Sequence, residues 1–132
     1  MTATGTIGTD TTTAVVDRYF GIWNTTDADR RAQLIAETWA DDGIYLDPVM
    51  RGDGHSGIDA MITGFQSQFP GIRFHRAAPI DAHNDRLRFS WVLVALEGPV
   101  IAMGTDVAVL SDDGRLQAVT GFFDQAPALP QS

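Results

Sequence analysis

The sequence predicts an α+β domain in which three helices come first and an antiparallel sheet follows. Apolar residues recur at helical spacing before Pro70, whereas the apolar stretches after Gly71 read as strands. Only short turn-like segments separate these strands, which is typical of hairpins. A length of 132 residues corresponds to one domain, because a domain usually takes roughly 100 to 200 residues.

Four apolar residues at positions i, i+4, i+7 and i+8 predict a first helix that begins near Thr12. They are Val15, Tyr19, Ile22 and Trp23. A second helix is expected over residues 29–39, and it should pack against the first as a hairpin because only a turn-like segment separates the two. A third helix is expected over residues 58–69, and Pro70 ends it.

Strands account for most of the remaining chain. Residues 44–47 are predicted to form a short strand that Pro48 stops. Four longer strands are expected over residues 72–81, 86–96, 100–110 and 116–124. Strands joined by such short turns run antiparallel, since a parallel pair needs a crossover of about a dozen residues. A long antiparallel sheet twists and curls, so the three helices can cover its concave face and leave a cavity between the layers.

The two ends of the chain lack a pattern of core residues. Residues 1–11 are rich in Thr and Gly, and we expect them to be disordered. They have neither the basic start nor the apolar stretch of a secretory signal, which predicts a cytoplasmic protein. Residues 126–132 contain two prolines and are expected to form a tail. The domain is therefore expected over residues 12–125.

Charge and composition exclude several classes of partner and site. Nine Lys and Arg residues against 17 Asp and Glu residues give a net charge of -8, which repels nucleic acids and anionic membrane surfaces, so neither is expected as a partner. The chain has no cysteine, which excludes disulfides, iron–sulfur clusters and thiolate nucleophiles. Its three histidines lack the spacing of a familiar metal site, so no metal is expected.

A glycine-rich segment over residues 51–57 contains the pattern G-x-G-x-x-G, which is typical of dinucleotide-binding sites. Such a site also requires parallel strand-helix-strand units, and only antiparallel hairpins are expected after the third helix. We therefore interpret the segment as a flexible loop, and we expect no cofactor.

Two aspartates, Asp47 and Asp106, stand inside apolar stretches, where charged groups are rare. Loss of water around a carboxyl group raises its pKa, which suits a general acid or base that works near neutral pH. The alternative is that each aspartate faces solvent or binds a neighbouring backbone amide. The presence of a pair, together with Tyr19 on the first helix, favours a catalytic interpretation.

Three segments carry a resemblance to bacterial ketosteroid isomerases: residues 14–24 (AVVDRYFGIWN), 40–49 (ADDGIYLDPV) and 56–60 (SGIDA). The region from Thr12 to Asp124 is similar to the nuclear transport factor 2-like (NTF2-like) superfamily, which includes the SnoaL-like polyketide cyclases. This resemblance implies a cone-shaped α+β barrel, in which a curved, mixed and mostly antiparallel sheet and three helices surround an apolar ligand cavity.

The resemblance also implies catalytic roles. Tyr19 matches the tyrosine that hydrogen-bonds the substrate oxygen, Asp47 matches the aspartate that moves the proton, and Asp106 matches a protonated acid beside the tyrosine. These roles predict cofactor-independent proton transfer on a hydrophobic carbonyl compound, either double-bond isomerisation or cyclisation. The aspartate at position 106 also resembles the catalytic acid/base of the cyclases. An alternative is therefore that Asp106 alone is the catalytic acid/base. The alternative function is non-catalytic binding of a small molecule in the same cavity.

Four more side chains are candidates for substrate contact, namely Tyr45, His55, His75 and Trp91. Tyr45 shares a strand face with Asp47, and the Trp91 ring suits a flat polycyclic ligand if it faces the cavity. His55 is an additional polar group near the expected mouth, and His75 lies on a strand that could form the wall. The expected partners are a hydrophobic small molecule and a second copy of the chain, paired through the outer face of the sheet.

Overall fold

A computed structural model describes residues 9–96 and 98–125. Its helices are α1 (Thr9–Asn24), α2 (Ala28–Thr38) and α3 (Gly54–Gln68). Its strands are β1 (Trp39–Leu46), β2 (Arg51–Asp53), β3 (Arg73–Arg76), β4 (Asp81–His83), β5 (Arg86–Val94), β6 (Val100–Leu110) and β7 (Leu116–Gln125). The α+β class is confirmed. Of the ends expected to be a disordered segment and a tail, residues 1–8 and 126–132 lie outside the described residues, whereas residues 9–11 belong to α1.

The helices begin and end near the predicted positions, and local contacts explain the differences. Asp27 caps α2, because its side chain accepts a hydrogen bond of 2.8 Å from the backbone amide of Arg30. The helix ends at Thr38, since Trp39 already has extended backbone angles and begins β1. None of the helices described is both long and apolar enough to span a membrane.

The glycine-rich segment forms a strand and the start of a helix, which corrects the prediction of a flexible loop. β2 covers its first three residues, and α3 begins at Gly54. Gly54 has a φ of 71°, a conformation that residues with a side chain rarely adopt. A Cβ at Gly52 would lie 2.9 Å from the Cα of Ile58, so the absence of a side chain lets β2 pack directly against α3.

The strands form one sheet in the order β2-β1-β7-β6-β5. The other edge of β5 pairs with both β3 and β4: β4 lies beside the first part of β5 and β3 beside its last part. β1 runs parallel to β7 and the other pairs are antiparallel, which confirms a mixed, mostly antiparallel sheet. The sheet is open, where the resemblance implied a barrel. The single strand expected over residues 72–81 is interrupted, since Pro79 has no amide hydrogen for a strand ladder.

β1 begins earlier than predicted, at Trp39, because the strand contains a bulge. The register between β1 and β7 shifts between Trp39 and Ile44, around the sequence Asp41-Asp42-Gly43. A bulge of this kind bends a strand without ending it. The strand therefore continues to Leu46, and Asp47 is the first residue after it.

The helices cover one face of the sheet, called the inner face here, and strand alternation decides which side chains lie on it. On β5 the buried residues are Leu87, Phe89, Trp91 and Leu93, whereas Arg86 and Arg88 on the opposite face are exposed. Tyr19 and Phe20 of α1 pack against the Phe89 ring, with ring centroids 5.4 and 5.7 Å apart. These contacts fix α1 across the inner face.

A buried arginine fixes α3 relative to α2. Arg31 of α2 is 4% exposed, and its guanidinium group donates hydrogen bonds to three side chains of α3. They are Asp59 at 2.6 Å, Thr63 at 2.7 Å and Gln66 at 3.0 Å. Because a buried charge is costly unless it is paired and hydrogen-bonded, these contacts hold α3 in one orientation over the sheet.

Candidate functional site

A pocket of about 640 Å³ opens between α1, α3 and the inner face of the sheet. Nine aromatic side chains line it. Trp23, Phe65 and Phe74 form the centre of this lining, with ring centroids 5.1 to 5.6 Å apart. The volume lies in the range of roughly 300 to 1,000 Å³ that small-molecule sites occupy, and aromatic walls favour a flat apolar ligand.

Asp106 lies on the inner face of β6, and both of its carboxyl oxygens accept a hydrogen bond. The Tyr19 hydroxyl from α1 donates to Oδ2 at 2.6 Å, and the indole Nε1–H of Trp91 from β5 donates to Oδ1 at 2.9 Å. Only 3% of Asp106 is exposed. Two neutral donors therefore hold a carboxyl group that has almost no contact with water.

Asp47 directly follows β1 and is held by its own strand and by the next turn. The Tyr45 hydroxyl donates to Oδ2 at 2.6 Å. The backbone amides of Val49 and Met50 both donate to Oδ1 at 2.8 Å. Asp47 thus binds backbone amides, as one alternative from the sequence allowed, and it is at the same time buried in the pocket wall.

β7 lies between β6, which carries Asp106, and β1, which Asp47 directly follows, and a glycine on β7 lets the two carboxyl groups approach each other. Gly121 is opposite Asp106 in the ladder between β6 and β7. A Cβ at Gly121 would lie 2.9 Å from Asp106 Oδ1, 3.1 Å from the Cβ of Asp47 and 3.2 Å from the hydroxyl oxygen of Tyr45. Because Gly121 has no side chain, Asp106, Asp47 and Tyr45 can all lie close to its Cα on the inner face of β7. Tyr19, Asp47 and Asp106, from three distant segments, therefore line one pocket.

Burial controls the ionisation of these groups. Burial raises the pKa of Asp106 to about 6; the hydrogen bonds from Tyr19 and Trp91 oppose this rise, and the charge of Asp47 adds to it. Burial and the charge of Asp106 raise the pKa of both Tyr19 and Tyr45 well above the usual value. The two hydroxyl groups therefore keep their protons at neutral pH, whereas Asp106 changes its charge close to it.

Solved structures include a near relative of this chain. A protein from Agrobacterium tumefaciens, described as a candidate isomerase of the SnoaL-like family, is 40% identical, with a TM-score of 0.84 over 87% of this chain and 98% of that one. The chain belongs to the SnoaL-like family. This finding confirms the resemblance that the sequence motifs carry. No family model and no curated protein matches the chain.

More distant structures share the fold of this SnoaL-like chain. A candidate polyketide cyclase from Sinorhizobium meliloti is 17% identical, with a TM-score of 0.65 over 82% of this chain and 93% of that one. A candidate ketosteroid isomerase from Kribbella flavida is 22% identical, with a TM-score of 0.60 over 93% of this chain and 84% of that one. Others are described as NTF2-like proteins of unknown function. At these identities the likeness concerns the fold alone.

The four candidates for substrate contact divide into two pairs in this SnoaL-like protein. Tyr45 and Trp91 line the pocket, whereas His55 and His75 do not. The His55 ring binds a backbone carbonyl oxygen of β1 at 2.8 Å, and His75 is exposed because its strand turns the neighbouring residue inward. The structure therefore brings Tyr45 and Trp91, but not the two histidines, to the pocket that holds Asp47 and Asp106. Within residues 9–96 and 98–125, no three His, Asp or Glu side chains form a group that could hold a metal ion.

Two glycines shape the site although they carry no chemistry of their own. Gly121 gives the two carboxyl groups room, and Gly104 lies directly under the Trp91 ring. Sequence reasoning missed both residues. The available signal was the presence of a glycine inside each of two long strands, because such glycines mark close approach of another group.

Proposed function

We propose that this chain catalyses cofactor-independent proton transfer on a hydrophobic carbonyl compound bound in the pocket. One observation carries the proposal: a single pocket holds two buried carboxyl groups, each bound by a tyrosine hydroxyl at 2.6 Å, and the pKa of one is raised to about 6. Groups that titrate near neutral pH suit acid and base catalysis. The relative that is 40% identical and is described as a candidate isomerase of the SnoaL-like family supports this class of reaction.

The hydrogen-bond donors of the site decide what a bound carbonyl group meets. Tyr19 and Trp91 donate to Asp106, and Tyr45 donates to Asp47. A tyrosine hydroxyl and an indole each have one polar hydrogen, so all three donors are in use. A carbonyl oxygen beside them therefore gains a strong hydrogen bond when Asp106 carries a proton. Such a donor, held in a dry pocket, stabilises the negative charge of an enolate oxygen.

Asp47 is the base in this proposal. Among the described residues, the Tyr45 hydroxyl is the one donor to its Oδ2, so a lone pair remains for a proton from the carbon next to the carbonyl group. The electrons of the broken C–H bond form an enolate, whose oxygen accepts the hydrogen bond from Asp106. In isomerisation Asp47 returns the proton at another carbon. In cyclisation the enolate carbon attacks a second carbonyl group of the same molecule, and that oxygen takes up the proton.

The experiment follows the rise in absorbance as a β,γ-unsaturated ketosteroid becomes a conjugated enone. We expect turnover by the wild type and a loss of about 100-fold or more in Asp47→Asn, because the amide cannot accept the proton. Asp17→Asn is the matched control, since Asp17 is exposed on α1, and it should leave turnover unchanged.

Two other outcomes favour the alternatives. Turnover that survives in Asp47→Asn but disappears in Asp106→Asn would assign Asp106 as the single acid/base. Absence of turnover, with a steroid-like ligand still quenching tryptophan fluorescence, would favour a binding protein that uses the same pocket.

A further inference from the structure

The pocket wall contains a polar contact that stacking on a ligand does not explain. We propose that Trp91 is a positioning residue, which holds the Asp106 carboxyl group in its working orientation and charge state through the indole N–H. The Nε1 atom lies 2.9 Å from Oδ1 of Asp106, and both residues are buried. The inference rests on the proposed function only for its effect on catalysis.

The strand register explains how the indole reaches the carboxyl group. Trp91 pairs with Gly104 across β5 and β6, and Asp106 lies two residues further along the same face of β6. The ring lies over Gly104, where a Cβ would be 2.6 Å from Cε2 of the indole. Because atoms cannot approach so closely, a side chain at position 104 would push the ring away. The absence of a side chain at Gly104 therefore allows the Trp91 ring to lie where its N–H group reaches Asp106.

Aromatic neighbours fix the direction of the indole. Phe74 packs against the Trp91 ring with centroids 5.4 Å apart and planes at 71°, and Phe123 packs with centroids 6.1 Å apart and planes at 89°. Edge-to-face contacts of this kind favour one ring orientation. The N–H group is therefore aimed at Oδ1 before any ligand binds.

The groups around Asp106 determine the effect of this contact. Tyr19 faces Asp106 from α1, and Trp91 faces it from β5. Tyr45 of β1 and Asp47, which directly follows β1, face it across Gly121. Burial and the charge of Asp47 raise the pKa of Asp106, whereas the hydrogen bonds from Tyr19 and Trp91 lower it. A hydrogen bond to the charged form stabilises that form. Loss of the indole donor should therefore raise the pKa of Asp106 further above its usual range.

The test is a carbon-13 NMR titration of the aspartate carboxyl groups, in which the Asp106 signal is assigned by its absence from Asp106→Asn. In Trp91→Phe the ring stays aromatic and the donor is lost, so the titration midpoint of Asp106 should rise by about one pH unit. Phe65→Leu is the control, because Phe65 lines the pocket but is not among the hydrogen-bond partners and charges that act on Asp106, so the midpoint of Asp106 should not move. An unchanged midpoint in folded Trp91→Phe would overturn the inference.

The wild type gives a second measurement that needs no stable variant. As the pH rises and Asp106 loses its proton, the indole N–H proton signal of Trp91 should shift downfield, because a hydrogen bond to a charged acceptor is shorter and stronger. The midpoint of this shift should equal the midpoint of the Asp106 carboxyl carbon. An indole signal that does not follow this titration would contradict the contact. Neither NMR result depends on turnover, so a shifted midpoint in an inactive protein would reject the proposed function and support the role of Trp91.

Discussion

The Asp106 carboxyl group changes charge close to neutral pH, because burial raises its pKa to about 6. As a proton donor it acts only when protonated, so kcat/KM is expected to fall about tenfold per pH unit above this pKa. In Asp106→Asn the amide still donates a hydrogen bond but does not titrate, so this decrease should vanish while part of the activity remains. A pH profile of kcat/KM for both proteins tests this. A profile that rises through the same pH would identify Asp106 as a base.

Single residues of the site differ in how clearly the sequence reveals them. Asp47 and Asp106 stand out because a charge inside an apolar stretch requires a special environment. The sequence also indicates Trp91 as a pocket residue. The hydrogen bond of its indole to Asp106 depends on the register of β5 and β6, which places Gly104 under the ring, and the sequence does not reveal that register. His55 and His75 turn away from the pocket, and only the strand register and the helix start determine that direction.

The arrangement of β1, β7 and β6 depends on a small residue at the centre of the middle strand. In Gly121→Ala the new Cβ would lie 2.9 Å from Asp106 Oδ1 and 3.1 Å from the Asp47 Cβ, so the carboxyl groups must move apart. We expect the free energy of unfolding to fall by about 1 to 3 kcal/mol and turnover to decrease. Denaturant titration and the enone assay measure the two effects.

The control for this prediction is Gly21→Ala in α1, where, apart from the adjacent residues and the helix's own backbone, no atom of the described residues lies within 4 Å of the added Cβ. Alanine stabilises a helix more than glycine does, so the free energy of unfolding of this variant should rise by about 0.5 to 1 kcal/mol, and its activity should be unchanged. Equal stability of Gly121→Ala and the wild type would contradict the close approach of the two carboxyl groups.

The elements themselves follow from the sequence where periodicity dominates, and they depart from it where single backbone angles decide. Helical spacing predicts α1 and α2 to within three residues, and short turns predict the antiparallel order of β5, β6 and β7. The start of α3 at Gly54 depends on a positive φ, and the length of β1 depends on a bulge. Neither feature changes the pattern of apolar residues, so the pattern does not reveal them.

The outer face of the sheet bears an apolar patch on three adjacent strands, β1, β7 and β6. Its exposed residues are Ile44, Leu46, Met103, Val107 and Phe122, each between 38% and 53% exposed. None of these five positions is charged, and the nearby Asp124 carboxylate accepts a hydrogen bond of 2.9 Å from the Thr105 hydroxyl. Because such patches mark interaction sites and two-fold pairs are the commonest assemblies, we propose that two copies pair through this face.

Sedimentation velocity at micromolar concentration tests the pairing. We expect the wild type to sediment as a dimer and Phe122→Asp as a single chain of 14.3 kDa, because the substitution adds a charge to the patch on both copies. Leu96→Asp is the control, since Leu96 is 76% exposed and lies outside the patch, so it should remain a dimer. A wild type found only as a single chain would contradict the proposal. The pocket lies on the inner face, so Phe122→Asp should still bind a steroid-like ligand, which distinguishes loss of pairing from loss of folding.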